Sequence, residues 1–257
     1  MNIQPVGVHL RQWRQRRRLS QLDLASEAEI SARHLSFVET GRATPSREMI
    51  LHLSEQLEIP MRERNVLLVA AGYAPIFPER ALSDPALEPA RAAIDLILEG
   101  HKPYPAFAVD RYWNVVATNY ALQELYEGVR EDLRTMPVNA LRLSLHPEGV
   151  APRVENLAEW RAHLLGHLTK QVEMTADPKL AALLAELKSY PAPPAPAQPS
   201  NTMIVPFKVR IKAGLLSFFS TTMVFGSPVD VTLSELAMEF FWPADKSTVD
   251  LVKSLGY

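Results

Sequence analysis

The sequence predicts two domains of different class. The first is a mainly α N-terminal domain of five short helices containing a helix-turn-helix, and the second is an α+β domain with a small antiparallel sheet and helices on one side. Three observations carry this reading. Over residues 1–75 apolar residues recur at helical spacing and are punctuated by Ser, Pro and Gly at cap positions. Residues 73–90 hold Pro75, Pro78, Pro85 and Pro89, which interrupt helical hydrogen bonding. Beyond residue 104, strand-like runs rich in Val, Phe and Thr flank longer helical stretches. The expected boundaries are a helix-turn-helix domain over 1–75, a Pro-rich connector over 76–90 and the second domain over 91–257.

Leu10 and Trp13, three residues apart, mark the inward face of the first helix. Ser20 caps the second, with Asp23 completing a capping box, and Leu24, Ala25 and Ala28 face inward. Ser31 caps the third, Leu35 and Val38 face inward, and Gly41 stops it. Pro45 and Ser46 open the fourth, with Ile50, Leu53 and Leu57; Pro60 opens the fifth, and Gly72 closes it. The helices over 20–28 and 31–40 are separated by only about two residues, and small Ala25 permits a steep crossing.

In the connector region an apolar helix is expected over 85–99, ending at Gly100; it serves either the second core or a dimer contact. Strands are expected at 106–110 and 113–118, helices at 119–127, 154–174 and 178–189, and strands at 203–211 and 215–225. The stretch 190–200 holds five prolines and is expected to be a loop.

Composition limits the function classes. The 257 residues include no cysteine, which excludes disulfides, zinc-thiolate sites and a cysteine nucleophile and fits a reducing cytosol. There is no apolar leader and no run long enough to span a bilayer, so a cytoplasmic protein without membrane association is expected. The net charge of −2 argues against nucleic acid, but its distribution does not. Residues 1–75 hold ten Arg and eight acids, and Arg11, Arg14, Arg16, Arg17 and Arg18 form an acid-free cluster. Phosphate attraction is local, screened within about 10 Å, so such a cluster suits a DNA-contacting face as well as it suits a solvated helix face.

Leu19-Ser20-Gln21, Leu24-Ala25, Ile30-Ser31, Leu35, Val38-Glu39, Gly41-Arg42 and Pro45-Ser46 together resemble the XRE family of helix-turn-helix regulators over nearly all of residues 7–60. One position departs from the family pattern: Glu29 stands at the turn where Gly is usual, a left-handed site that costs a non-Gly residue roughly 1 kcal/mol. The resemblance implies a transcriptional regulator whose third helix enters the major groove of double-stranded DNA. Ala32, Arg33 and Phe37 then face the bases, with Ser36 at the margin. Arg33 suits a bidentate grip on guanine, and Phe37 either meets a thymine methyl or belongs to the core. Gln21, Thr40 and Arg42 are implied backbone contacts. Arg14 either binds phosphate or forms the buried ion pair with Glu39 that the family often has.

The segments 107–119, 139–142, His146-Pro147, Glu159-Trp160 and 232–236 resemble the PAS-like ligand-binding domain of MmyB-like regulators over most of residues 90–250. This implies an apolar pocket for a small ligand, an acyl or fatty-acid-like effector being expected. Trp113, Tyr120, Trp160 and Phe218 are candidate lining residues, though core packing explains aromatics equally. Arg142, His146 and His163, with Arg161, are candidate partners for a ligand carboxylate. His163 and His167 share zinc-like spacing, but no third ligand is evident, so no metal and no cofactor is expected.

No nucleophile elbow, phosphate loop or dinucleotide fingerprint occurs, so no catalytic residue is assigned and no enzyme is expected. A homodimer on a palindromic operator is expected, because one head contacts few bases. The alternative is a helix-turn-helix protein whose C-terminal domain is a protein-interaction or dimerisation module without a small-molecule ligand.

Overall fold

A computed structural model describes residues 4–121, 123–191, 193, 194 and 204–256. The chain divides into two compact units, one of residues 1–80 with 228–234 and one of residues 81–227 with 235–257. Among the described residues, no helix is long and apolar enough to cross a membrane.

The first unit contains the five expected helices: α1 (Val6–Arg16), α2 (Gln21–Glu27), α3 (Ala32–Glu39), α4 (Arg47–Gln56) and α5 (Met61–Ala70). Ser20, Ser31 and Ser46 accept from the backbone N–H of Asp23, His34 and Met49, and Asp23 returns a bond to Ser20, completing the capping box. Leu10, Trp13, Leu24, Leu35, Val38 and Leu53 meet in one buried core. Glu29 occupies the turn with φ 51°, so the left-handed turn forms without glycine. The chain tightens there through the Ile30 N–H bond to the Ala25 carbonyl at 2.9 Å. Gly7 lets α1 approach the end of α3, because a Cβ at that position would lie 2.1 Å from the Val38 carbonyl oxygen.

A short helix from the distal part of the chain, α10 (Val231–Ser234), packs within this first unit. The Arg80 guanidinium donates to Asp230 at 3.0 Å, the Val231 N–H donates to the Pro78 carbonyl at 2.9 Å, and the Thr232 hydroxyl donates to the Arg80 carbonyl at 2.6 Å. Asp230 and Val231 are both fully buried.

The second unit is an α+β domain. Strands β1 (Ala106–Val109), β2 (Val115–Thr118), β3 (Phe207–Ile211), β4 (Gly214–Val224) and β5 (Ala237–Pro243) form one antiparallel sheet in the order 2-1-5-4-3. Its helices are α6 (Glu88–Glu99), α7 (Ala140–Leu145), α8 (Leu157–Thr175), α9 (Pro178–Ser189) and α11 (Lys246–Ser254). Strand alternation sorts the core into two parts. Ala106, Ala108, Met238 and Phe240 pack with Ile94 and Leu98 of α6, which therefore serves the core. Phe207, Val209, Leu216 and Phe218 pack with Trp160, Leu168 and Leu184 of α8 and α9. Helices thus cover both faces of the sheet, not one side as expected.

Several expected elements differ. β5 and α11 were not expected at all. The helix expected at 119–127 is only a 3-10 turn, Gln123–Tyr126. β3 begins after Pro206, which lacks the N–H a ladder needs. β2 begins at Val115 because Trp113 lies in a turn with φ 67°. Most of the Pro-rich stretch 190–200 lies outside the described residues.

Candidate functional site

The first candidate surface is the outer face of α3. Leu35 and Val38 turn into the core, so Arg33, Phe37 and Thr40 fall on the opposite side. Phe37 is only half-buried and lies outside the head's core cluster. Two guanidiniums flank its ring: the Arg33 Cζ lies 5.4 Å from the centroid and the Arg42 Cζ lies 5.9 Å from it. Stacking on an aromatic face holds a guanidinium while leaving its N–H fork free for a planar acceptor. Arg33 and Arg42 are both exposed.

Behind this face lies a buried ion pair. Arg14 donates from Nε and Nη2 to the two carboxylate oxygens of Glu39 at 2.6 and 2.8 Å, and from Nη1 to the Leu19 carbonyl at 2.8 Å. Gln21 adds a third bond to Glu39 at 2.8 Å. Burial opposes the Glu39 charge, but the Arg14 guanidinium and the Gln21 amide outweigh it and hold the carboxyl below its usual range. Together these bonds tie α1 and α2 to the end of α3.

The second candidate is a cavity of about 130 Å³ in the α+β unit, between the sheet and helices α7 and α8. Phe107, Phe218 and Phe241 from the strands and Trp113, Trp160 and Leu164 from the covering elements are among the residues of its wall. Trp113 is set there by the β1–β2 turn. Asp110 accepts from the Tyr112 and Asn114 N–H groups at 2.8 and 2.9 Å, which holds Trp113 in its left-handed conformation. The Trp113 indole N–H then donates to Gln171 of α8 at 2.8 Å. Such a strained bulky residue persists only where its surroundings over-determine it.

The cavity's polar wall is specific. It contains Glu239, His163, His167 and the hydroxyl residues Thr118, Tyr126, Ser144, Ser220 and Thr222 and, among the described residues, no Lys or Arg. Glu239 accepts from the Thr222 hydroxyl at 2.8 Å, and burial pushes its carboxyl up to about 7. His163 stacks on Trp160 with centroids 5.5 Å apart, and its pKa is lowered first by burial and then by neighbouring His167 and Lys170. Among the described residues, no cluster of three His, Asp or Glu side chains is placed to hold a metal.

Residues 5–67 match a helix-turn-helix domain family. Residues 90–255, well over half of the chain, match the MmyB-like transcription regulator ligand-binding domain. The chain belongs to the MmyB-like transcription regulators. No curated protein matches it. This MmyB-like regulator therefore joins a DNA-binding helix-turn-helix head to a ligand-binding domain.

In the MmyB-like regulator, Arg33, Ser36, Phe37, Thr40 and Arg42 share one outer region of α3 and the residues just after it, whereas Ala32 packs against the core of the head. The Thr40 hydroxyl is engaged by the Ser36 carbonyl at 2.7 Å. Arg14 and Gln21 stand apart from that set. Both side chains bind Glu39, and Arg14 is buried, so Arg14 takes the ion-pair alternative and does not present a phosphate donor.

Of the ligand candidates, Trp113, Trp160, His163 and Phe218 line the cavity, while Tyr120, Arg142 and His146 do not. Tyr120 is 71 % exposed. Arg142 makes a two-pronged pair with Glu186 of α9, both bonds at 2.7 Å, so its fork is occupied. His146 accepts from the Glu148 N–H at 3.0 Å and packs its ring against Tyr190. Arg161 donates to the carbonyls of Leu187 and Lys188, capping the end of α9. Sequence reasoning thus sought cations, whereas the cavity offers Glu239, which it missed. A single acid inside the apolar run 237–242 was the available signal.

Proposed function

We propose that this MmyB-like regulator reads a specific DNA sequence through the outer face of α3, and that an apolar, acyl-like effector in the sheet–helix cavity alters that reading. The observation that carries the proposal is the pairing, in one chain, of an exposed Arg33–Phe37–Arg42 cluster on α3 with an aromatic-walled cavity in the second unit. Arg33 supplies base readout, and Arg42 supplies backbone attraction that carries no sequence information. The cavity wall is dominated by apolar and aromatic side chains with a few convergent polar groups, the usual make-up of a small-molecule site. We read the unit as binding its ligand without transforming it.

The β4–β5 connection offers a route for the signal. Glu239 and Thr222 of the cavity lie on the strands flanking a connection whose residues 228–234 are packed within the DNA-binding unit. A homodimer on an inverted repeat fits the short base-reading surface of one α3. DNA as partner fits a cytoplasmic location.

Selection of bound duplexes from a random pool tests the reading. Enrichment of an inverted repeat supports it. An unenriched pool at low and moderate salt, with and without an organic-solvent extract of cells, contradicts it.

A further inference from the structure

The cavity's polar groups specify the chemistry of the ligand's polar end. The inference rests on the reading of this cavity as the effector site. Its wall holds a carboxyl, hydroxyls and two imidazoles, but no ammonium or guanidinium. Arg142 is engaged by Glu186, and Arg161, which does not line the cavity, donates its Nη2 to the end of α9 and keeps a buried Nε without a hydrogen-bond partner among the described residues. Glu239 lies on the central strand β5, opposite Phe107 of β1 and Thr222 of β4. It is more than nine-tenths buried.

A carboxyl group offers about four acceptor positions, and among the described residues Thr222 serves only one at Glu239. The remaining acceptor capacity lies on the cavity wall, where a ligand donor can reach it. We propose that the effector carries a hydrogen-bond donor at its polar end, a primary amine or a hydroxyl on an alkyl body, and that Glu239 holds it.

At mildly alkaline pH Glu239 is largely ionised, and a ligand carboxylate would face it with no fixed cation on the wall, so like charges at short range oppose binding. His163 does not supply that cation, since burial and its basic neighbours favour the neutral imidazole. The fatty-acid expectation is thereby narrowed to an alkyl ligand with a donating end.

The test is calorimetric titration of the full chain with octylamine, octanol and octanoate at mildly alkaline pH, for wild type and Glu239→Gln. Octylamine and octanol bind wild type, and octanoate binds about tenfold more weakly or worse. Glu239→Gln weakens octylamine by about tenfold and leaves octanol within about threefold. Thr222→Val removes the one protein donor to Glu239 and strengthens octylamine binding, which keeps the test readable if Glu239→Gln fails to fold. Octanoate binding as tightly as octylamine, or octylamine binding unchanged in both variants, overturns the donor assignment and leaves the cavity reading standing. Absence of binding by all three overturns the cavity reading as well.

Discussion

Arg14 and Glu39, 25 residues apart, meet in a two-pronged ion pair that fastens α1 of the head to the end of α3. Both are buried, so removing either one strands the other's charge. Glu39→Ala is expected to destabilise the head by roughly 3–5 kcal/mol, and a Met/Leu double replacement by much less. Urea unfolding followed by helical circular dichroism checks this; a double-variant loss equal to the sum of the two single losses would show that the pair is not coupled.

Arg33 and Arg42 flank the same ring but are expected to fail differently. Arg33→Ala relaxes preference at one guanine position, at a cost of roughly 1–3 kcal/mol. Arg42→Ala weakens binding to all sequences alike and lowers the slope of log affinity against log salt by about one. Anisotropy titrations over a salt series, on cognate and single-substituted duplexes, separate the two roles.

Glu239 makes stability pH-dependent in a defined direction. Its folded pKa is about 7 against an ordinary 4.5, so the folded chain holds the proton more tightly than the unfolded chain. The associated stability is complete below the unfolded value and is lost as pH rises through about 7, a change of roughly 3 kcal/mol. His163 on the same wall has the opposite sense: its pKa is lowered, so its contribution is present above 6.5 and is lost as pH falls. Melting temperature is expected to peak at mildly acid pH. Glu239→Gln is expected to flatten the alkaline decline and leave the acid side intact.

The helices of the head were legible because their signals are local. Ser20, Ser31 and Ser46 cap them, and Gly41 and Gly72 end turns with positive φ. β1 to β4 were legible from neighbouring runs that pair as hairpins, β1 with β2 and β3 with β4. β5 was not. It is the central strand, with residues facing cores on both sides, so it lacks clean alternation, and its partners β1 and β4 include one more than a hundred residues away. The same distance hid the fate of Arg142, whose partner Glu186 lies 44 residues on. Nothing in residue type alone distinguishes a free arginine from one already paired.

Asp230 is buried within the DNA-binding unit, yet it lies on the connection between two strands of the cavity. Asp230→Ala removes the partner of Arg80. It is expected to leave DNA affinity and effector affinity each within about threefold while reducing the effect of one on the other, since coupling is a separate free energy from either binding step. Paired titrations of each ligand in the presence of the other measure it.

The most direct test of the account is the affinity of the full chain for its selected duplex, measured by anisotropy with and without a saturating cavity ligand. A change of about fivefold or more in Kd is expected, the range of allosteric coupling, and no such change in a variant whose cavity is blocked, Ser220→Trp. An identical Kd with the cavity shown to be filled would contradict it.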